Sequence, residues 1–95
     1  MKFEWDPKKE KLNLRKHGVE FSEAKTVFED DEAITIYDEN HSVLEERFKI
    51  IGLSRMAREL TVCHCVNDDN TVTRIISARR ASKSEVKLYE RRLLP

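Results

Sequence analysis

The segment RKHG, residues 15–18, combines an acid–base candidate with two cations. His17 is a candidate proton carrier, because histidine is the side-chain type that titrates near neutral pH without help from its surroundings. Lys16 beside it could bind a phosphate group or favour the neutral imidazole. A structural explanation is also open, since a left-handed glycine ends many helices and cations suit the carbonyl end of a helix. The spacing therefore predicts either a catalytic corner or a helix cap.

Two adjacent arginines, Arg79 and Arg80, end a strand-like run and are candidate anion-binding groups. A planar guanidinium binds phosphate through two parallel hydrogen bonds, which lysine cannot do. Alternation along a strand places only one of the two on the same face as Arg47. The alternatives are a solvated strand end or a salt bridge to the acidic segment 29–32.

Glu46 and Arg47 are neighbours in the predicted strand 45–53, so their side chains should point to opposite faces of a sheet. The charged face would hold Glu45, Arg47 and Lys49, and the apolar face would hold Leu44, Glu46, Phe48 and Ile50. A glutamate among apolar neighbours is either one half of an ion pair or a general base.

The segment VCHCV, residues 62–66, contains three possible metal ligands in a row. On a strand, Cys63 and Cys65 face one way and His64 faces the other, so the three cannot easily bind one ion. We therefore expect no metal and no cofactor, with His64 in the sheet core and both cysteines reduced and buried. His41 lies in a predicted turn and is expected to face solvent.

A length of 95 residues suits one domain with a modest core, which predicts a single domain over residues 1–95. The longest uninterrupted apolar runs have two or three residues, too few for a membrane span. The N-terminal segment MKFEWDPKKE lacks the apolar region of a signal peptide, so we expect a cytoplasmic location.

The formal net charge is zero, but the charges are unevenly distributed. Residues 1–19 carry six basic and three acidic side chains, a net +3, and residues 20–46 carry one basic and ten acidic, a net −9. Residues 47–95 carry eleven basic and five acidic side chains, a net +6. A basic surface beside an acidic one is therefore possible, although many of these charges simply solvate a small protein.

Three helices are predicted around these groups. The dipeptide DP at residues 6–7 begins the first, which ends at Gly18, and Ser22 is the expected N-cap of the second. The segment SKSE, residues 82–85, is a capping box that begins the third helix. The apolar stripes contain Ala24, Val27 and Phe28 in the second helix and Val86, Tyr89 and Leu93 in the third.

Period-two alternation, rich in β-branched residues, predicts the strands. They are residues 3–5, 33–39, 45–53, 59–66 and 71–79. The predicted fold class is α+β: a compact single domain in which an antiparallel sheet of four to five strands packs with two N-terminal helices and one C-terminal helix.

An ordered set of motifs resembles the BrnT family along nearly the whole chain. The set contains FEWDPKK at 3–9, Asn13, KHGVEF at 16–21, the helix with Ala24 and Phe28, Glu46-Arg47, Gly52, RIISARRA at 74–81, and the helix with Glu85, Tyr89 and Glu90. The resemblance implies a toxin of a type II toxin–antitoxin pair, with a fold similar to RelE-type ribonucleases. It further implies that the protein cleaves RNA without a metal and inhibits translation. The implied partner is a BrnA-like ribbon-helix-helix antitoxin, which would bind operator DNA and repress the operon together with the toxin.

Metal-free cleavage of RNA needs a base for the 2′-hydroxyl proton, cations for the charge on the phosphate, and an acid for the leaving oxygen. The expected catalytic residues are His17, Lys16, Glu46, Arg47, Arg79 and Arg80, and the expected RNA-binding residues are Arg74 and Tyr89. Tyr89 lies on an apolar helix stripe, so core packing competes with base stacking as its role.

Two other functions remain open on the sequence alone. A non-catalytic nucleic-acid-binding module would need the arginines but no titratable group, so His17 is the feature that separates it from an enzyme. A partner-dependent interaction domain would use the charges at an interface.

Overall fold

A five-stranded mixed sheet forms the centre of the protein, whose computed structural model describes residues 1–43 and 45–94. The strands are β1 (Lys2–Glu4), β2 (Ile34–Tyr37), β3 (Phe48–Leu53), β4 (Glu59–Val66) and β5 (Val72–Arg80). Their order across the sheet is β1-β5-β4-β3-β2. The α+β class and the upper strand count are as predicted.

The expectation of a wholly antiparallel sheet is wrong for β1. This strand runs parallel to β5, with Phe3 opposite Thr73, whereas the other three pairs are antiparallel. The alternation in a three-residue strand shows which side chains share a face of the sheet, but it does not indicate whether the strand runs parallel or antiparallel to its neighbour. The Phe3 ring packs edge-on against Phe28, 5.1 Å between centroids, which holds β1 against the core.

The helices also differ from the prediction in part. Helix α1 (Pro7–His17) has the predicted ends: the Asp6 side chain accepts from the Lys8 amide, and Gly18 is left-handed with φ +69°. Helix α2 (Phe21–Ala24) is only four residues long and continues as a 3₁₀ helix, Lys25–Glu29. Its N-cap is Glu20, so the prediction of Ser22 at that position is wrong. An unpredicted 3₁₀ turn covers Glu39–His41.

The main core lies between one face of the sheet and the segment that contains α2. Its buried members are Val19, Phe21, Ala24, Val27, Ile50, Leu60, Val62, Ile75 and Ala78. Helix α1 is attached to this side through Asn13, whose amide donates to the Ala78 carbonyl at 2.8 Å and accepts from the Ala78 amide at 3.0 Å. β1 pairs only with residues 72–74, so Asn13 bonds the part of β5 beyond this short strand.

Helix α3 (Lys83–Leu93) lies on the opposite face of the sheet and begins at the predicted capping box of Ser82 and Glu85. The Thr61 hydroxyl donates to Glu85 at 2.8 Å, and the Tyr89 hydroxyl donates to Asp30 at 2.5 Å. The helix covers only part of this face, so the remainder of the sheet surface is open. No helix of the described residues has both the length and the apolarity to cross a bilayer.

Candidate active site

The open part of the sheet face beside α3 contains a shallow depression of about 260 Å³. It is lined by Asp38, His41, Arg47, Lys49, Thr61, Cys63, Ile76, Ser77 and Arg79. Three of these side chains are permanent cations at neutral pH, and one is a histidine. Cross-strand register explains the grouping, because Lys49 lies opposite Cys63, Cys63 opposite Ser77, and Thr61 opposite Arg79.

Arg47 reaches the depression from the segment before β3. This strand begins at Phe48, so the predicted start at residue 45 is wrong, and neither Glu46 nor Arg47 belongs to a strand. Leu44, expected on the apolar face of that strand, lies outside the described residues. The Arg47 guanidinium lies 3.5 Å from a Glu45 carboxylate oxygen, and its buried Nε has no hydrogen bond within the described residues. Its positive charge is therefore only weakly compensated.

Asp38 and His41 form a carboxylate–imidazole pair at the edge of the depression. The His41 Nδ1 lies 2.9 and 3.1 Å from the two Asp38 carboxylate oxygens. The Asp38 side chain is 6% exposed, whereas the His41 side chain is 62% exposed. Because an ionised carboxylate only accepts, Nδ1 must carry the hydrogen of this bond, which leaves Nε2 available to accept a proton when the ring is neutral.

The Asp38–His41 turn and Arg47 are joined by backbone hydrogen bonds. The Asp38 amide donates to the Arg47 carbonyl at 2.8 Å, and the Arg47 amide donates to the Ser42 hydroxyl at 3.0 Å. The Ser42 hydroxyl in turn donates to the Asp38 carbonyl at 2.6 Å. One small turn therefore holds both the imidazole and a cation at the depression.

Arg79 enters the depression from β5 and is bound end-on by α3. Its Nη1 and Nη2 donate to the two Glu85 carboxylate oxygens at 2.7 and 2.9 Å. These bonds hold the pKa of Glu85 near 2 and raise the pKa of Arg79 above its usual value. The ion-pair partner of Arg79 is thus Glu85 and not the acidic segment 29–32.

Cys63 lies on the floor of the depression. Burial, reinforced by the Asp38 carboxylate, raises the pKa of its thiol above the ordinary value. A thiol that stays protonated is a poor nucleophile, so this position is not built for thiolate chemistry.

Of the other predicted catalytic residues, His17 and Lys16 lie at the end of α1, which packs with the core side of the sheet. The Gly18 carbonyl that follows accepts from Arg58, in the turn between β3 and β4. His17 does not line the depression. The structure therefore does not bring His17 together with Arg47 and Arg79.

Glu46 and Arg74 line a separate polar hollow with Glu45, next to the depression. Glu46 is exposed, so the expectation of a glutamate among apolar neighbours is wrong. The Arg74 Nη2 is paired with Glu45, and its Nε donates to the Cys65 sulfur at 3.4 Å. Arg74 is thus a candidate for contacts with substrate flanking the depression.

Arg80 and Tyr89 do not contribute to the depression. Arg80 lies opposite Leu60 in the sheet register and so points to the other face from Arg79, as alternation predicted. Tyr89 is 4% exposed, which agrees with core packing and leaves no open ring surface for a base. Burial and the bond to Asp30 raise the pKa of its hydroxyl.

The VCHCV segment has the predicted alternation. The His64 ring packs edge-on to Phe28 and stacks on Phe48, on the core side, and burial lowers its pKa. Within residues 1–43 and 45–94, no three His, Cys, Asp or Glu side chains converge as a metal site.

Sequence reasoning missed His41, which was expected only to face solvent. The signal that could have found it is the Asp38-x-x-His41 spacing in the turn, which lets the two side chains meet in a helical turn. The open sheet surface thus holds the Asp38–His41 pair beside three cations. Such an arrangement could bind a phosphodiester and transfer a proton near it.

Comparisons with known proteins identify the family and the fold. The family model described as the ribonuclease toxin BrnT of type II toxin–antitoxin systems matches residues 5–85. Among solved structures, the chain is similar to the 1.1 Å crystal structure of the Brucella abortus ribonuclease toxin BrnT, with 24% sequence identity and a TM-score of 0.67. The similarity covers 87% of this chain and 99% of that one, and at this identity it shows the fold alone. A search of curated proteins found no match.

Proposed function

Because the chain belongs to the BrnT family of ribonuclease toxins from type II toxin–antitoxin systems, we propose that it is a metal-independent endoribonuclease whose active site is the sheet depression. The observation that carries this assignment is the grouping of Arg47, Lys49 and Arg79 with the Asp38–His41 pair on one open surface.

His41 is the proposed proton carrier. Its Nε2 takes the proton of a ribose 2′-hydroxyl, and the 2′-oxygen attacks the adjacent phosphorus. The bond from phosphorus to the 5′-oxygen breaks, leaving a 2′,3′-cyclic phosphate and a 5′-hydroxyl. Asp38 fixes the imidazole tautomer and stabilises the imidazolium that forms, as a carboxylate does beside a catalytic histidine. Lys49 on the same surface is the proposed proton donor to the leaving 5′-oxygen.

Arg47 and Arg79 are the proposed groups that stabilise the charge on the phosphate. Negative charge accumulates on the phosphate oxygens in the transition state, and fixed donors aimed at such charge are worth several kcal/mol. Cations and a histidine together supply the charge neutralisation and proton transfer that a metal would otherwise provide. Of the carboxylates that border the depression, Asp38 is hydrogen-bonded to His41 and Glu85 is ion-paired with Arg79.

We further propose that the protein has a RelE-like fold and acts in the cytoplasm, where its cleavage of RNA inhibits translation. A BrnA-like ribbon-helix-helix antitoxin would cover the basic depression, and the complex would bind operator DNA through the antitoxin. The charge distribution supports this, because a surface of three cations attracts an acidic partner as well as RNA. An antitoxin complex that cleaves RNA as fast as the toxin would contradict occlusion of the site.

Replacing either arginine of the depression should abolish most of the activity without unfolding the protein. Arg47→Ala and Arg79→Ala should each lower the RNA cleavage rate by about 10²-fold, the usual cost of removing one charge-stabilising donor. The measurement is growth after expression together with cleavage of purified RNA, with circular dichroism to check the fold. Arg55→Ala is the matched control, since Arg55 is highly exposed in the turn between β3 and β4. Wild-type toxicity without RNA cleavage, lost in both arginine variants, would instead favour a non-catalytic binding module, because such a module also needs the arginines.

A further inference from the structure

The carboxylate of Glu85 accepts hydrogen bonds from two different parts of the structure, Arg79 in β5 and the N-terminal cap of α3. It accepts end-on from both Nη atoms of Arg79, and its Oε1 also accepts from the Ser82 amide at 2.8 Å. The second bond belongs to the capping box that begins α3. Arg79 is therefore connected directly to the first turn of the helix that borders the depression.

The donors that remain on Arg79 determine what it can still bind. A guanidinium has five N–H groups. Glu85 takes one from each Nη atom, and the Arg80 carbonyl accepts from Nη1 at 3.3 Å. Nε and the second hydrogen of Nη2 make no hydrogen bond within the described residues. These two N–H groups are parallel and lie along the same edge of the planar guanidinium. They form a second fork, beside the Nη1–Nη2 fork that binds Glu85, and this second fork matches two oxygens of a phosphate.

Without Glu85, this fork would have no fixed direction. Arginine has a long side chain with many rotamers, and immobilising it costs conformational entropy. Two hydrogen bonds to a carboxylate that is itself held by Thr61 and the helix cap determine the guanidinium plane in advance. Catalysis depends strongly on such placement, because an error of about 1 Å can cost about 10²-fold in rate.

We propose that Glu85 is a positioning residue that holds Arg79 end-on, so that its side-on Nε–Nη2 fork receives the scissile phosphate. This inference rests on the proposed function of the depression. Glu85 does not touch the substrate. It acts through Arg79. The position of α3 on the sheet therefore determines the orientation of the Arg79 guanidinium in the active site.

The test is a set of steady-state cleavage measurements on folded, purified variants. Glu85→Gln keeps one oxygen for the Ser82 amide and Thr61, but its amide nitrogen cannot accept from Arg79. We expect kcat to fall by about 10-fold or more, while KM for RNA stays unchanged or falls, because a negative charge has left the site. Ser82→Ala removes the serine side chain of the same helix cap, and Glu90→Gln removes a similar charge from α3. Both should keep kcat near the wild-type value.

A double-mutant cycle separates positioning from other roles. In the Arg79→Ala background, Glu85→Gln should cost no further kcat. A Glu85→Gln enzyme with wild-type kcat, an equal loss in Ser82→Ala, or a full second loss in the Arg79→Ala background would each overturn the inference. If Arg79→Ala alone cleaves RNA at the wild-type rate, the proposed function of the depression is wrong and the inference fails with it; the outcomes above overturn the inference alone.

Discussion

His41→Gln is expected to lower the rate of RNA cleavage by about 10²–10⁴-fold, the usual contribution of one proton-transfer group. Glutamine retains an amide N–H for the buried Asp38 carboxylate, so the turn should keep its hydrogen bond, but it cannot carry a proton. The imidazole is largely exposed, so the free energy of unfolding should change little. Rate measurements on purified RNA and thermal unfolding of the same sample check both expectations.

His17→Gln is the matched control for this experiment. His17 follows the α1 residues that pack with the core side of the sheet and lies next to a left-handed glycine, as expected for a helix cap. We expect cleavage within about 2-fold of wild type and a loss of stability of at most about 1 kcal/mol, the upper end for a charged side chain at an exposed helix carboxyl end. If His17→Gln abolishes cleavage and His41→Gln does not, the proton carrier lies at the end of α1 and the assignment to the depression is wrong.

The largest expected effect on stability comes from Glu23. This side chain in α2 is 5% exposed and accepts from the Ser54 hydroxyl at 2.6 Å and from the Arg58 Nε at 2.9 Å. Glu23→Ala should lower the free energy of unfolding by about 3 kcal/mol, because breaking a buried ion pair leaves its partner uncompensated. Chemical denaturation at neutral pH measures this change. Glu29→Ala, which breaks the highly exposed pair with Arg55, should cost only about 0–1 kcal/mol.

The same ion pair predicts a pH dependence of stability. The Arg58 hydrogen bonds hold the pKa of Glu23 below its ordinary value of 4.5, against the opposing effect of burial. A lowered pKa in the folded state means that the stabilisation is present above about pH 4.5 and is lost as the pH falls below it. Stability of the wild type should therefore decrease more steeply on acidification below pH 4.5 than that of Glu23→Gln. Parallel curves for the two proteins would show that Glu23 is not held ionised by Arg58.

Local signals predicted the parts of the fold that depend on neighbouring residues. The Asp6-Pro7 start and Gly18 end of α1, and the Ser82–Glu85 capping box, follow from hydrogen bonds made within a few residues. Strand β4 covers the predicted residues 59–66, because its alternation is long enough to fix both the period and the ends. Alternation also separated Arg79 from Arg80 correctly.

Features that depend on distant contacts could not be predicted. The direction of β1 is set by its place beside β5, and the late start of β3 follows from the turn that binds Arg47 to Asp38. The likeness to RelE-type ribonucleases, in contrast, stays a prediction.

The candidate site was predicted only in part for the same reason. Arg47 and Arg79 share one surface because the sheet register places Arg79 opposite Thr61, while hydrogen bonds to the Asp38–Ser42 turn hold Arg47 at the start of β3. His41 was missed because its importance depends on a buried carboxylate three residues away and on cations from two other segments. His17 was preferred because RKHG places a histidine beside cations in sequence, whereas the structure places the cation cluster on the other side of the sheet.

Cleavage of two matched RNA oligonucleotides, one of which lacks a single 2′-hydroxyl at the scissile nucleotide, shows whether that hydroxyl is the nucleophile in a metal-free reaction. Both are incubated with the purified toxin in excess chelator, and the product ends are identified by mass spectrometry. We expect that only the all-ribose RNA is cleaved, giving a 2′,3′-cyclic phosphate and a 5′-hydroxyl. Equal cleavage of the 2′-deoxy substrate, or activity that appears only when a divalent metal is restored, would contradict it.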